Sequence, residues 1–208
     1  MKKRFLFLLF LLGSITAHAA TLPVDIKPTD LRIYGNKNNE TTIYVFSSLT
    51  CPHCAVFHAE IMPDIKKEYV DTDKAKLIYV DMPGESKGMT GTTISRCIKS
   101  EKYDDFMDIM FENQEVWAYS SKPRAVMTRF ATMLGGLTED EVAACLLNQE
   151  LKQTILQQQL NLSTLYDVKA MPSVVIVKNN ESKKIQGADK IAVMQALKER
   201  LSADDKGN

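Results

Sequence analysis

The chain has 208 residues, 26 basic and 26 acidic side chains, a formal net charge of zero and 45% hydrophobic residues. This balance provides no basic face of the kind nucleic acids require. The apolar share suffices for a real core in one domain, or in one domain carrying an insertion.

Lys2, Lys3 and Arg4 precede an unbroken apolar run from Phe5 to Leu12, and Ala17-His18-Ala19 follows as a small-x-small cleavage site. That order of regions predicts a signal peptide over residues 1–19, with an apolar run too short to remain as a membrane anchor. Cleavage removes three of the 26 basic residues and none of the 26 acidic ones, leaving a net charge of −3. Export leads to an oxidising compartment, where disulfides are permissible.

Leu31 to Tyr34 reads as a short strand and Gly35 to Asn39 as a turn. Thr41 to Ser47, rich in β-branched and aromatic residues, is the next strand. Cys51 to Tyr69 has helical spacing, with Pro63 expected to kink it, and Lys76 to Asp81 is a further strand. Strand, helix and strand in alternation predict a parallel pairing in an α/β layer.

From Ser86 to about Tyr166 the strand signal nearly vanishes. Ile94, Cys97 and Ile98 share one helical face, and Tyr103, Phe106, Met107, Met110 and Phe111 share another. Pro123 to Leu134 is a third helix, closed by Gly135-Gly136. Thr138-Glu139-Asp140-Glu141 is a capping box that opens a fourth, through Leu147, and Leu151 to Leu165 is a fifth. Apolar spacing places Met107, Met110, Met127 and Met133 in the core, and Met82 and Met89 at a rim. The α/β pattern then resumes, with a strand from Ser173 to Lys178, an Asn179-Asn180 turn, a returning strand from Lys183 to Gln186 and a helix from Ala188 to Leu201. The expected organisation is a signal peptide (1–19), an α/β domain in two pieces (20–84 and 167–208) and an all-helical insertion (85–166).

Cys51-Pro52-His53-Cys54 lies between the strand Thr41–Ser47 and the helix that follows. A CxxC at a strand-to-helix junction is a thiol redox layout. Unpaired N–H groups at the helix start favour negative charge on the first sulfur, and the thiolate is the species that attacks disulfides. Pro52 suits the first helical turn, where its missing N–H costs little. The four cysteines allow three pairings. The CxxC selects Cys51–Cys54 and leaves Cys97 and Cys145, either bonded to each other or as two free buried thiols. Export and the even count favour the bond. Met171-Pro172 directly precedes the strand Ser173–Lys178, where a proline is tolerated only at the first position. Alone it reads as an ordinary trans proline; beside a CxxC it reads as a cis bend holding a substrate backbone near Cys51. A structural zinc site is the competing reading of the cysteines, but zinc usually takes four ligands and this chain has a single CxxC.

The signal peptide, the Cys-Pro-His-Cys motif, the helical insertion and Met171-Pro172 together resemble the DsbA family of periplasmic thiol:disulfide oxidoreductases. The likeness covers essentially the whole mature chain. The resemblance implies a thioredoxin-like α/β fold with an inserted all-helical domain. It implies a redox-active Cys51–Cys54 disulfide needing no other cofactor, with Cys51 as nucleophile and Cys54 as its more buried partner. His53 is implied to support the Cys51 thiolate, and Pro172 to face the site. Pro52 and Met171 are the expected substrate contacts, Met171 as a soft, adaptable one. The Cys97–Cys145 pair resembles that of the family branch carrying an extra structural disulfide. Many relatives have an acid six positions before the first cysteine, where this chain has Val45. The implied activity is introduction of disulfides into reduced, unfolded exported proteins by a monomer, with a quinone-linked membrane protein of the DsbB type as reoxidant. An isomerase or reductase is the alternative within redox chemistry, and a non-redox peptide-binding chaperone the alternative outside it.

Overall fold

The computed structural model describes residues 31–201; the expected signal peptide lies outside the described residues. Five strands form one mixed sheet in the order β1-β3-β2-β4-β5: β1 Arg32–Tyr34, β2 Thr42–Ser47, β3 Lys76–Asp81, β4 Ser173–Lys178 and β5 Glu181–Gln186. Strands β2 and β3 pair in parallel, as the strand–helix–strand pattern predicts, and the remaining pairs are antiparallel. The β4–β5 hairpin turns at Asn179 and Asn180, both with positive φ, which asparagine tolerates better than most residues.

The parallel crossover carries α1 (Pro52–Glu60), then α2 (Met62–Ile65) and a π-helical turn over Lys66–Val70. Sequence spacing predicts one kinked helix here. Instead the regular helix stops at Ile61, two residues before Pro63, whose ring and missing N–H oppose a continuous ladder.

Six helices separate β3 from β4: α3 Ser86–Cys97, α4 Tyr103–Glu112, α5 Gln114–Ala118, α6 Pro123–Met133, α7 Glu139–Leu147 and α8 Gln149–Leu165. α7 begins with the expected capping box, Thr138 and Glu141 each satisfying the other's backbone N–H. A final helix, α9 (Lys190–Leu201), returns to the sheet. α3 comes close to the loop after β2 because position 91 is glycine. A Cβ there would lie 3.0 Å from Leu49 Cδ1, 3.2 Å from Met110 Cε and 3.3 Å from Met127 Sδ.

The sheet separates two cores. Ile43, Val45, Leu77, Tyr79, Val174 and Ile176 face the larger one, with Phe57 of α1, Phe106 and Met110 of α4, Trp117 of α5 and Leu197 of α9. Tyr44, Phe46, Ile78, Val80 and Val175 face the smaller, closed by Leu162 of α8 and by Val168. Met107, Met110 and Met127 are buried, but Met133 is 71% exposed. It lies six positions after Met127, which rotates it to another side of α6; Ala131, four positions after Met127, shares the buried face.

Cys97, at the end of α3, is bonded to Cys145 in α7, with the two Cα atoms 6.3 Å apart. Arg96 of α3 and Asp81 at the end of β3 form an ion pair at 2.6 Å, with side chains only 4% and 3% exposed. Arg96 also donates to Gln158 of α8 at 3.1 Å. A buried pair so placed joins insertion to sheet, and removing either partner would leave an uncompensated charge.

Candidate active site

β2 ends at Ser47, the chain turns through Ser48-Leu49-Thr50, and Cys51 caps α1 with extended backbone angles (φ −91°, ψ 117°). The backbone N–H groups of Cys54 and Ala55 donate to the Cys51 carbonyl at 3.0 and 3.2 Å, so the first turn closes around it. Pro52 occupies the first helical position, as its φ and missing N–H suit. The Cys51 sulfur thus stands at a helix N-terminus, partly exposed, while Cys54 is fully buried one turn on. Both are free thiols in this state. Pro52 and His53 are exposed beside Cys51.

Met171-Pro172 is a cis peptide at the start of β4. Antiparallel pairing of β4 with β2 sets Ser173 opposite Phe46 and so carries Met171 to the end of the sheet where the CxxC lies. The Cys51 Sγ is 3.7 Å from the Met171 carbonyl oxygen. Cys51, Cys54, His53, Pro52, Met171 and Pro172 are therefore gathered at one end of the sheet, although 117 positions separate Cys54 from Met171. Cys97 and Cys145 are bonded to each other in the insertion. Among the described residues no group of three or more His, Cys, Asp or Glu side chains could hold a metal ion.

The two thiols differ in surroundings. Burial pushes the Cys54 thiol up to about 12, while the Ser48 N–H, 3.4 Å from its Sγ, and the Ser47 hydroxyl act in the opposite direction. Burial therefore favours the protonated form of Cys54 over its thiolate.

Sequence spacing did not reveal Gln114. It opens α5 with a buried side chain, and its amide donates to the Leu49 carbonyl at 2.7 Å and to the Cys51 carbonyl at 3.1 Å. The insertion thus grips the loop that carries the nucleophilic position. The available signal was a polar residue between Phe111 and Trp117, at three-residue steps on an apolar face. His58 makes a second joint. Its ring stacks on Phe111 of α4 at 4.5 Å between centroids, and its Nε2 is 2.7 Å from the Asp108 carboxylate. Burial lowers its pKa below 6.5, against the pull of Asp108.

A family model described as thioredoxin matches residues 27–197. A Rickettsia felis protein named "Putative protein-disulfide oxidoreductase" is 30% identical over 125 residues, 60% of this chain and 45% of that protein. Disulfide bond formation protein D of Bacillus subtilis is 29% identical over 86 residues, 39% of each chain. The chain thus spans about half the length, or less, of these curated relatives. Among solved structures, Wolbachia pipientis alpha-DsbA1 superposes with a TM-score of 0.73 at 23% identity, over 86% of this chain and 92% of that one. BdbD from Bacillus subtilis superposes with a TM-score of 0.67 at 17% identity, over 84% and 94%. At these identities the likeness is one of fold: a thioredoxin-like sheet with a helical insertion, as in DsbA proteins.

Proposed function

Because this chain belongs to the thioredoxin family, we propose that it is a thiol:disulfide oxidoreductase that introduces disulfides into exported proteins through Cys51 and Cys54. The observation carrying this reading is the asymmetry of the pair: Cys51 partly open at a helix N-terminus and 3.7 Å from the Met171 carbonyl, Cys54 buried behind it. Only the outer sulfur can be reached by a protein substrate.

In the oxidised form a substrate thiolate attacks Cys51 Sγ. The Cys51–Cys54 bond breaks with its electron pair on Cys54, and a mixed disulfide joins substrate to Cys51. A second substrate thiolate then attacks the substrate sulfur of that bond and releases Cys51 as a thiolate. Two substrate thiols lose two electrons, and the Cys51–Cys54 pair gains them. The start of α1 favours the released charge, and His53, exposed at the adjacent position, can donate to it. Met171 and the cis bond to Pro172 present a backbone carbonyl beside Cys51, against which an extended substrate segment lies. Pro52 and the Met171 side chain flank that segment.

The signal peptide expected over residues 1–19 supports export, and the reading places the reaction in the periplasm. The substrates are reduced, unfolded exported proteins, the enzyme acts as a monomer, and a quinone-linked membrane protein of the DsbB type takes the electrons away. The test is the equilibrium of the Cys51–Cys54 pair against glutathione. An oxidase lies on the oxidising side of the glutathione couple. A pair found on the reducing side overturns the oxidase reading in favour of a reductase, and a pair that never exchanges overturns the redox reading altogether.

A further inference from the structure

Most arginines of the described structure are bound to the fold. Arg32 donates to three carbonyls at the end of α3, Arg96 pairs with Asp81, and Arg200 donates to the Lys178 carbonyl and pairs with Glu181. Arg124 and Arg129 of α6 differ. Among the described residues neither guanidinium makes an ion pair or a hydrogen bond, and nor does the ammonium of Lys122, just before that helix. All three are exposed, and all three line one cavity of about 750 Å³. The cavity lies on the side of α6 turned away from buried Met127 and Ala131, with Thr128 on its wall and Glu139 of α7 at its edge.

The lining holds three cations against one acid in a chain of zero formal net charge. Glu139 stands in the first turn of α7, where the helix dipole favours it. Cations gathered in a hollow focus their field outward and raise the local concentration of anions. Guanidinium forks take carboxylates with two parallel bonds, and the Thr128 hydroxyl adds a donor. A hollow of this size holds several residues of chain. A flat bilayer would meet only its rim, and Met133 is the one long apolar side chain there to enter lipid.

The cavity belongs to the neighbourhood of the reacting pair. Met127 Sδ and Leu49 Cδ1 both lie within 3.3 Å of the point where a Cβ at Gly91 would stand, so α6 rests against the loop that leads to Cys51. Gln114, which reaches the Cys51 carbonyl, is followed by α5 and four further residues before α6 begins. That path spans about 20 Å at most, and an extended substrate covers it in about six residues.

We propose that this cavity docks acidic segments of the protein substrates: Lys122, Arg124 and Arg129 bind carboxylates of a chain whose cysteine is engaged at Cys51. The site favours substrates with an acidic run about six residues from the reacting cysteine. It acts on encounter and residence, and the exchange of sulfurs is unaltered. The inference rests on the exchange reading.

The test uses the full-length protein and the triple variant Lys122→Gln, Arg124→Gln, Arg129→Gln. None of the three charged groups has a partner in the fold, so the thermal midpoint is expected to be unchanged. Two dithiol peptides, one with a run of four aspartates about six residues from its cysteine and one with serines there, are oxidised in parallel. Exposed ion pairs are individually weak, and three together are worth about tenfold. The ratio of kcat/KM for the acidic over the neutral peptide is expected to be about ten in the parent at low ionic strength. It should fall to about one in the triple variant and in 0.5 M salt. Reading a ratio removes any general loss of activity. A labelled cysteine-free peptide with the same aspartates should bind the parent about tenfold more tightly than the variant. A ratio near one in the parent, or a preference that survives in the variant, overturns the site. So does binding of phosphatidylglycerol vesicles through these three residues without binding of the acidic peptide. If neither dithiol peptide is oxidised while the cysteine-free peptide still binds, the exchange reading fails and the docking site stands.

Discussion

The two cysteine pairs of this molecule share their chemistry, and each sets a partly exposed cysteine beside a buried one, yet they differ in where the fold holds them. Cys51 and Cys54 lie one helical turn apart, the first partly exposed at a helix start. Cys97 and Cys145 lie 48 positions apart and tie α3 to α7 inside the insertion. Cys145 is buried, with its sulfur 3.1 Å from the Thr93 carbonyl. An attacking thiolate needs a reachable sulfur and a leaving group whose charge is tolerated. The first pair puts its partly exposed sulfur at a helix N-terminus; the second presents one sulfur to a carbonyl dipole and closes a long loop. Reactivity here is set by position on the fold, while the amino acid is the same.

The strongest way to break that contrast is to exchange the fates of the pairs. Cys51→Ser is expected to abolish oxidation of a reduced test protein, by roughly a thousandfold or more as for other lost nucleophiles, with little change in the thermal midpoint. Replacing Cys97 and Cys145 by Ser together is expected to do the reverse. Turnover stays near that of the parent. Closing a loop with a sequence separation of 48 contributes about 4 kcal/mol in the chain-entropy model, and chemical denaturation should show a loss of that size. If the double variant loses turnover while remaining folded, the second pair takes part in the chemistry and the contrast fails.

A smaller effect sharpens the contrast at the loop that carries Cys51. Gln114→Ala strips the side-chain donor from the Leu49 carbonyl and removes one of three N–H donors from the Cys51 carbonyl, which keeps those of Cys54 and Ala55. Leaving the Leu49 carbonyl unsatisfied is expected to cost about 1–3 kcal/mol and to slow attack on Cys51 while the Cys97–Cys145 linkage in non-reduced digests is unchanged. A stability loss without slowed exchange would show that the amide holds the insertion and not the nucleophile.

The smallest effect concerns pH. His58 is neutral in the folded state because burial lowers its pKa below the 6.5 of an unfolded chain. As pH falls below about 6.5 the unfolded chain binds the proton first, so stability conferred at neutral pH declines towards the lower folded value. His58→Gln is expected to flatten that acid limb, measured as thermal midpoint against pH. An unchanged slope would place the sensitivity in other groups.

Much of this was legible along the chain. The strands Lys76–Asp81 and Ser173–Lys178 have the boundaries that their apolar runs and flanking turns indicate. The capping box at Thr138 and the Asn179-Asn180 turn are local devices, written in adjacent residues. The strand over Leu31 to Tyr34 was legible as a strand, but its antiparallel pairing with β3 at the sheet edge was not, because three residues carry no pairing partner in their own composition. Met133 read as core from its neighbours and lies outside, since apolarity does not state which side of a helix is covered. At the site, the CxxC and Met171-Pro172 carry recognisable spacing or position. Gln114 does not: an ordinary polar residue gains its role from the atom that packing brings opposite, here the Leu49 carbonyl 65 positions away.

The Gln114 clamp bears on attempts to make a smaller catalyst. The stretch that holds the motif, from β2 through α1, is short, but the Leu49 carbonyl in its turn takes its side-chain donor from a helix encoded more than sixty positions later, which also reaches the Cys51 carbonyl. Excising the insertion and rejoining β3 to β4 would keep every cysteine of the motif and leave the Leu49 carbonyl bare. A miniature would have to bring its own donor to that turn, from a redesigned loop or a docked peptide, before the motif could hold its shape.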